Sequence, residues 1–131
     1  NIPEAEVLSG IHIETGQDMA RAARIISERV AGSPSILIKG GHERNTANDL
    51  LYYDGKEIWF NGERIHNPNT HGTGCTLSSA FASMLAKGLP LPEAAAAAKN
   101  YINDAIIAGA EYEIGHGFGP VKHFWALWKQ D

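Results

Sequence analysis

Gly32-Ser33-Pro34-Ser35-Ile36-Leu37-Ile38-Lys39-Gly40-Gly41-His42 packs a helix stop, a strand and a strand-end loop into one run, and its reading decides the fold. Gly32-Ser33-Pro34 breaks the preceding helix, because glycine loosens the backbone and proline withholds an N–H. Ser35 to Ile38 is a short continuous apolar run, the pattern of a strand buried on both faces. Upstream, Gly16-Gln17-Asp18 leads into a helix. Met19, Ala22, Ala23, Ile26 and Val30 recur there at three- and four-residue steps, and Arg21, Arg24, Glu28 and Arg29 take the wet side. Helix, short loop and buried strand in succession predict α/β organisation with a mainly parallel sheet. Lys39 to His42 then fall at the C-terminal end of a strand, where open α/β sheets place their ligand crevice. Lys39 is either a phosphate-binding charge or the solvent end of the strand, and His42 reads as a loop residue or one behind a ligand contact. Before all of this, Glu4 to Gly10 reads as a short helical turn and its stop.

Downstream, Leu50 to Tyr53 and Glu57 to Phe60 are strand-like, and Asp54-Gly55-Lys56 between them is a hairpin signal. Asn61-Gly62 repeats the signal before Glu63-Arg64-Ile65-His66, so a small antiparallel meander is expected. Trp59 and Phe60 face opposite sides of their strand, which makes at least one of them structural. A helical pattern begins at Cys75, with Leu77, Ala80, Phe81, Met84 and Leu85 on one face, and Gly88-Leu89-Pro90 ends it. Pro92 to Ala110 forms an alanine-rich helix that packs through Ala94, Ala97, Ala98, Tyr101, Ile102, Ala105 and Ile106. Gly115-His116-Gly117-Phe118-Gly119-Pro120 is a flexible loop, with an adenine-side contact and simple packing both open. The aromatic tail from Val121 to Trp128 is expected to dock back on the core.

His71-Gly72-Thr73-Gly74-Cys75 carries the chemistry. A glycine turn entering a helix points successive N–H groups at one spot, and the helix start adds positive potential, so an anion such as a phosphate is held without a lysine. The same helix start favours the thiolate of Cys75. A glycine turn that merely starts a helix remains the alternative on these five residues alone.

The remaining classes narrow quickly. At 131 residues with 44% hydrophobic content, the chain has room for one domain with a real core. The single cysteine excludes an intrachain disulfide framework and suits a reducing cytoplasm. A formal charge of −4 without any basic run argues against a nucleic-acid surface. No apolar stretch approaches the ~18 residues of a membrane span, and no secretory signal is legible. Asn1-Ile2-Pro3-Glu4 opens without an initiator methionine, as a processed product or one piece of a larger fold would.

The six histidines, His12, His42, His66, His71, His116 and His123, lack the paired spacing of structural zinc. His71 near Cys75 raises a Cys-His nucleophile, but no acyl site or third orienting group is legible. Phosphoryl transfer fits more of the features. It needs donors for the travelling group, magnesium held through oxygens and phosphates, and a base near the attacking hydroxyl. Gly72 to Cys75 supply the donors, Lys39 a charge, Glu4 a metal-side carboxylate and Cys75 the base.

Three ordered stretches carry a resemblance. They are Asn1-Ile2-Pro3-Glu4-Ala5-Glu6-Val7-Leu8, Ile38-Lys39-Gly40-Gly41-His42 and Asn69-Thr70-His71-Gly72-Thr73-Gly74-Cys75-Thr76-Leu77-Ser78-Ser79-Ala80, and Gly115 to Val121 fits as well. Over essentially its whole length the chain resembles the C-terminal half of hydroxymethylpyrimidine/phosphomethylpyrimidine kinases of thiamine biosynthesis, in the ribokinase-like superfamily. The resemblance implies a three-layer α/β/α kinase that transfers the γ-phosphoryl of ATP, with Mg2+, to 4-amino-5-hydroxymethyl-2-methylpyrimidine and then to its monophosphate. It implies that Asn1 and Glu4 form the N-x-x-E element organising magnesium and phosphate, and that Lys39 lies near the ATP phosphates, with Gly41 beside it in the nucleotide site. Gly72, Thr73 and Gly74 match the anion hole and Cys75 the catalytic base. Sugar kinases of the superfamily mostly carry aspartate there, so the cysteine favours the pyrimidine or related pyridoxal branch.

Size is the departure. The family's catalytic domain is about twice as long, and the half not represented supplies the first Rossmann-like strands and most of the ring recognition. Residues 1–131 are therefore expected to be the C-terminal portion of one kinase domain, working with a separate N-terminal fragment. Homodimerisation of complete units is open. Pyridoxal kinase is the nearest rival, and a non-catalytic regulatory or assembly fragment is the rival of a different class.

Overall fold

The structure, a computed structural model, describes residues 1–40, 48–62, 65 and 67–127. The chain divides into two compact units, Asn1–Arg64 and Ile65–Asp131.

In the first unit, α1 spans Ile2–Ser9 and α2 spans Gly16–Arg29. Both begin with a reciprocal capping box. Asn1 Oδ1 accepts the Glu4 N–H at 3.0 Å, while Thr15 Oγ1 accepts the Asp18 N–H at 3.2 Å and Asp18 Oδ2 accepts the Thr15 N–H at 2.9 Å. The expected turn near Glu4 is thus a full helix, stopped by Gly10 in the left-handed conformation at φ 74°. α2 begins where its sequence predicts. Met19, Ala22, Ala23 and Ile26 are buried, but Val30 is the C-cap and 48% exposed, so the apolar face ends one turn early. That face packs with Ala5, Ile13, Ile38 and Leu50 in one cluster.

The strands are β1 (Ile36–Ile38), β2 (Asp49–Tyr53) and β3 (Lys56–Phe60), ordered β1-β2-β3. Both pairings are antiparallel, with Leu37 opposite Leu51 and Leu50 opposite Trp59. This corrects the expectation of a mainly parallel sheet for the described strands. A parallel partner needs a crossover of about a dozen residues or more, and the chain between Ile38 and Asp49 is shorter than that. At one end of the described strand order, β1 buries Ile38 and leaves Ile36 and Leu37 half-buried within this chain. The β2–β3 hairpin turns at Asp54 and Gly55, with φ 50° and 71°, the conformation for which Asp-Gly is favoured. The Glu63 to His66 strand proposed to complete the meander lies outside the described residues apart from Ile65, which is not in a strand.

In the second unit, α3 spans Thr73–Ala86 and α4 spans Leu91–Ala108. α3 starts two residues before the expected Cys75, because Gly72 at φ 82° already makes the turn. α4 buries Ala94, Ala95, Ala98, Ile102, Ala105 and Ile106, while Ala97 and Tyr101 are only half-buried. On α3, Leu77 is buried, Ala80, Phe81 and Met84 are half-buried and Leu85 is exposed. The tail docks through Val121, 2% exposed, and through Trp125, whose ring lies 6.5 Å from that of Tyr101. Phe124 is exposed, and Trp128 lies outside the described residues. Among the described residues no helix is long and apolar enough to cross a membrane.

Candidate active site

A glycine turn enters α3 where the sequence places it, but not all of the donors expected there are free. Thr73 commits both of its donors to Thr70: the N–H reaches the Thr70 carbonyl at 3.2 Å and the hydroxyl reaches it at 2.7 Å. The first bond of the helix proper runs from the Thr76 N–H to the Gly72 carbonyl at 2.8 Å. No side chain caps the helix, so the N–H groups of Gly74 and Cys75 have no intrachain acceptor among the described residues. An acceptor-free pair of amides at the positive end of a 14-residue helix is an arrangement that can hold an anion. Thr73 closes the turn, and the N–H groups left without an acceptor are those of Gly74 and Cys75.

Cys75 is a free, exposed thiol in that first turn. It lines a cavity of about 450 Å3 together with Thr76, Ser79, Ser83, Tyr101 and His123. His123 is a residue that sequence reasoning left among scattered histidines. Its Nε2 lies 3.0 Å from Thr76 Oγ1 in a hydrogen bond, and Tyr101 Oη donates to its carbonyl at 2.7 Å. The His71 backbone N–H donates to the Gly119 carbonyl at 3.0 Å. Among the described residues no hydrogen bond joins a histidine ring to Cys75, so the Cys-His pairing has no support.

Asn1, Glu4 and Lys39 belong to the first unit. Glu4 Oε2 accepts from the terminal ammonium of Asn1 at 3.0 Å. That hydrogen bond and the charge behind it hold the Glu4 carboxyl below its usual value; burial opposes them, and the Asn1 amide and the more remote charge of Lys39 add lesser pulls in the same lowering direction. The carboxyl is 71% exposed and stays ionised near neutrality. The structure thus brings Asn1 and Glu4 into direct contact and sets Lys39 within electrostatic reach. Among the described residues no group of three His, Cys, Asp or Glu side chains gathers as a metal cage. Magnesium does not need one when phosphates and waters supply most of its oxygens.

Lys39 is followed by a glycine that the backbone demands. A Cβ on Gly40 would fall onto the Asn48 carbonyl oxygen, and the Gly40 N–H donates to the Asp49 carboxylate at 3.0 Å. Neither Asp49 nor the buried Asn69 of the second unit was singled out from the sequence. Gly41 and His42 lie outside the described residues.

The fold is similar to that of solved small-molecule kinases. The chain superposes on Bacillus subtilis pyridoxal kinase, solved as an ADP complex, with TM-score 0.85 and 36% identity, covering 98% of this chain and 48% of that one. Staphylococcus aureus pyridoxal kinase in complex with AMP-PCP gives TM-score 0.86 and 32% identity, covering 97% and 46%.

Sequence places the chain more narrowly. The family model for phosphomethylpyrimidine kinase matches residues 1–122, and the chain belongs to that family. It is 45% identical to the hydroxymethylpyrimidine/phosphomethylpyrimidine kinase of Streptomyces coelicolor over 127 residues, covering 97% of this chain and 46% of the relative. The Rhizobium meliloti enzyme of the same name is 44% identical over 131 residues, covering 98% and 48%. The chain therefore spans about half the length of the curated relatives it matches.

Proposed function

We propose that the chain is the C-terminal portion of a three-layer ribokinase-like kinase domain that phosphorylates 4-amino-5-hydroxymethyl-2-methylpyrimidine, and then its monophosphate, at the expense of ATP. The observation that carries the reading is the pair of acceptor-free N–H groups on Gly74 and Cys75, with the Cys75 thiol exposed in the same helical turn. Phosphoryl transfer asks a protein for donors around a charged group in flight and a base at the attacking hydroxyl. Gly72 gives the turn, Thr73 locks it, Gly74 and Cys75 donate, and the Cys75 sulfur takes the proton of the hydroxymethyl group. Lys39 meets the nucleotide phosphates, and Asn1 and Glu4 organise the metal side. Mg2+, when bound with the nucleotide, neutralises phosphate charge, and the ionised Glu4 carboxylate suits it.

The share of the relatives' length that is covered supports a second piece that completes the domain, adding parallel strands and ring recognition. Exposed apolar side chains support it too: Val7 is 82% exposed in the first unit and Leu127 is 77% exposed in the second. The test is complementation. The chain alone is expected to show little turnover, and adding the other half should restore ATP-dependent conversion of the pyrimidine to its diphosphate. No turnover after complementation would mark a regulatory or assembly fragment instead.

The solved pyridoxal kinases favour one second reading, in which the same phosphate machinery serves pyridoxal. Parallel assays with hydroxymethylpyrimidine, its monophosphate and pyridoxal separate the two, because only the first activity makes a pyrimidine diphosphate.

A further inference from the structure

The segment that delivers the anion-binding turn is anchored by two asparagines whose partners lie at the far end of α4. Asn69 is 4% exposed, and its Nδ2 donates to the Gly109 carbonyl at 2.8 Å and to the Tyr112 carbonyl at 2.7 Å. Asn67 accepts the Asn69 N–H on Oδ1 at 2.8 Å and donates from Nδ2 to the Ile106 carbonyl at 2.6 Å. On the opposite flank, Gly119 packs so tightly that a Cβ there would fall onto Asn69 Oδ1. The Gly119 carbonyl accepts the His71 N–H at 3.0 Å, and His71 forms a parallel bridge with Pro120. One residue after Asn69, the Thr70 carbonyl holds both donors of Thr73. A continuous hydrogen-bonded path therefore runs from the end of α4, through Asn69, to the first turn of α3.

We propose that Asn69 is the positioning residue of the phosphate-binding turn: its buried amide ties the Asn67 to His71 segment to the end of α4 and so fixes where the Gly74 and Cys75 N–H groups point. The proposal rests on the phosphoryl-transfer reading above. The other bonds of the turn are backbone or local ones, from Thr73 to Thr70 and from His71 to Gly119, and no side chain caps α3; the buried Asn69 amide is a side-chain tie from this segment to the end of α4. The chemistry selects asparagine. A primary amide offers two hydrogens to two carbonyl oxygens and carries no charge, whereas aspartate would set an oxygen against both. Preorganised donors are effective only while their direction is fixed, so a loosened turn loses the phosphates before it loses the rest of the nucleotide.

The test uses the complete, turnover-competent assembly and compares binding of AMP-PCP with binding of AMP. Asn69→Asp is expected to weaken AMP-PCP by about tenfold or more, the worth of one charge-assisted hydrogen bond. AMP should stay within about twofold, as expected for contacts remote from the change. Asn67→Ala, which removes the brace on the Asn69 N–H and disturbs the core less, should shift the same ratio in the same direction. A loss shared equally by AMP-PCP and AMP, or an unchanged ratio in a folded variant, overturns the proposal and leaves Asn69 a stabilising residue only. If the unsubstituted assembly itself binds AMP-PCP no more tightly than AMP, the phosphoryl-transfer reading fails instead.

Discussion

Cys75 occupies the third position of α3, where its own N–H remains available to an anion and its side chain is exposed. One residue can therefore supply a donor to the phosphoryl group and a proton acceptor to the attacking alcohol. The two roles are separable by substitution, since alanine keeps the amide and removes the sulfur. Cys75→Ala in the complemented assembly is expected to lower kcat by about 100-fold or more, the usual worth of a positioned general base, while nucleotide affinity holds. Steady-state kinetics with a nucleotide titration checks this, and unchanged turnover would remove the sulfur from the mechanism. The placement of Cys75 in a glycine turn at a helix start was legible because its signal is local: glycine, threonine, glycine and cysteine sit together before an apolar helical pattern. Asn67 and Asn69 were not, because the carbonyls that give them meaning lie 39 to 43 residues further along the chain. Nothing in the five residues around Asn69 says that its amide is buried.

At the scale of elements, the capping boxes show how much of the fold short-range chemistry decides. Thr15 and Asp18 satisfy each other's backbone donors at the start of α2, and Thr15→Ala is expected to cost about 1 kcal/mol in urea unfolding. The Thr15 hydroxyl, then the Thr15 and Glu14 N–H groups, lower the Asp18 pKa. A carboxylate depressed on folding stabilises above its unfolded pKa, near ~4, and that contribution disappears as pH falls through the lower folded value. The stability gap between wild type and Asp18→Asn should therefore shrink on acidification from neutral pH to ~3, within the range where unfolding remains reversible. A constant gap in thermal melts across that range would contradict the capping role. The same locality made the α2 face and the Asp54-Gly55 hairpin readable in advance. The direction of β1 pairing was not readable, since an apolar tripeptide suits either kind of ladder and only the short return to β2 selects the antiparallel one.

For the whole molecule, the ordered motifs led to the family, and the match over residues 1–122 bears that out. What they could not convey is how the two units are completed, because the chain covers only 46% and 48% of the length of these relatives. On the proposed mechanism the amides at the start of α3 receive the transferred phosphoryl while sulfur meets the acceptor alcohol. A crystal structure of the complemented assembly with AMP-PCP and hydroxymethylpyrimidine tests this most directly. The mechanism predicts terminal phosphate oxygens within hydrogen-bond reach of the Gly74 and Cys75 N–H groups and Cys75 Sγ facing the hydroxymethyl oxygen; a productive complex that binds those phosphates elsewhere, with the sulfur turned away from the alcohol, would contradict it.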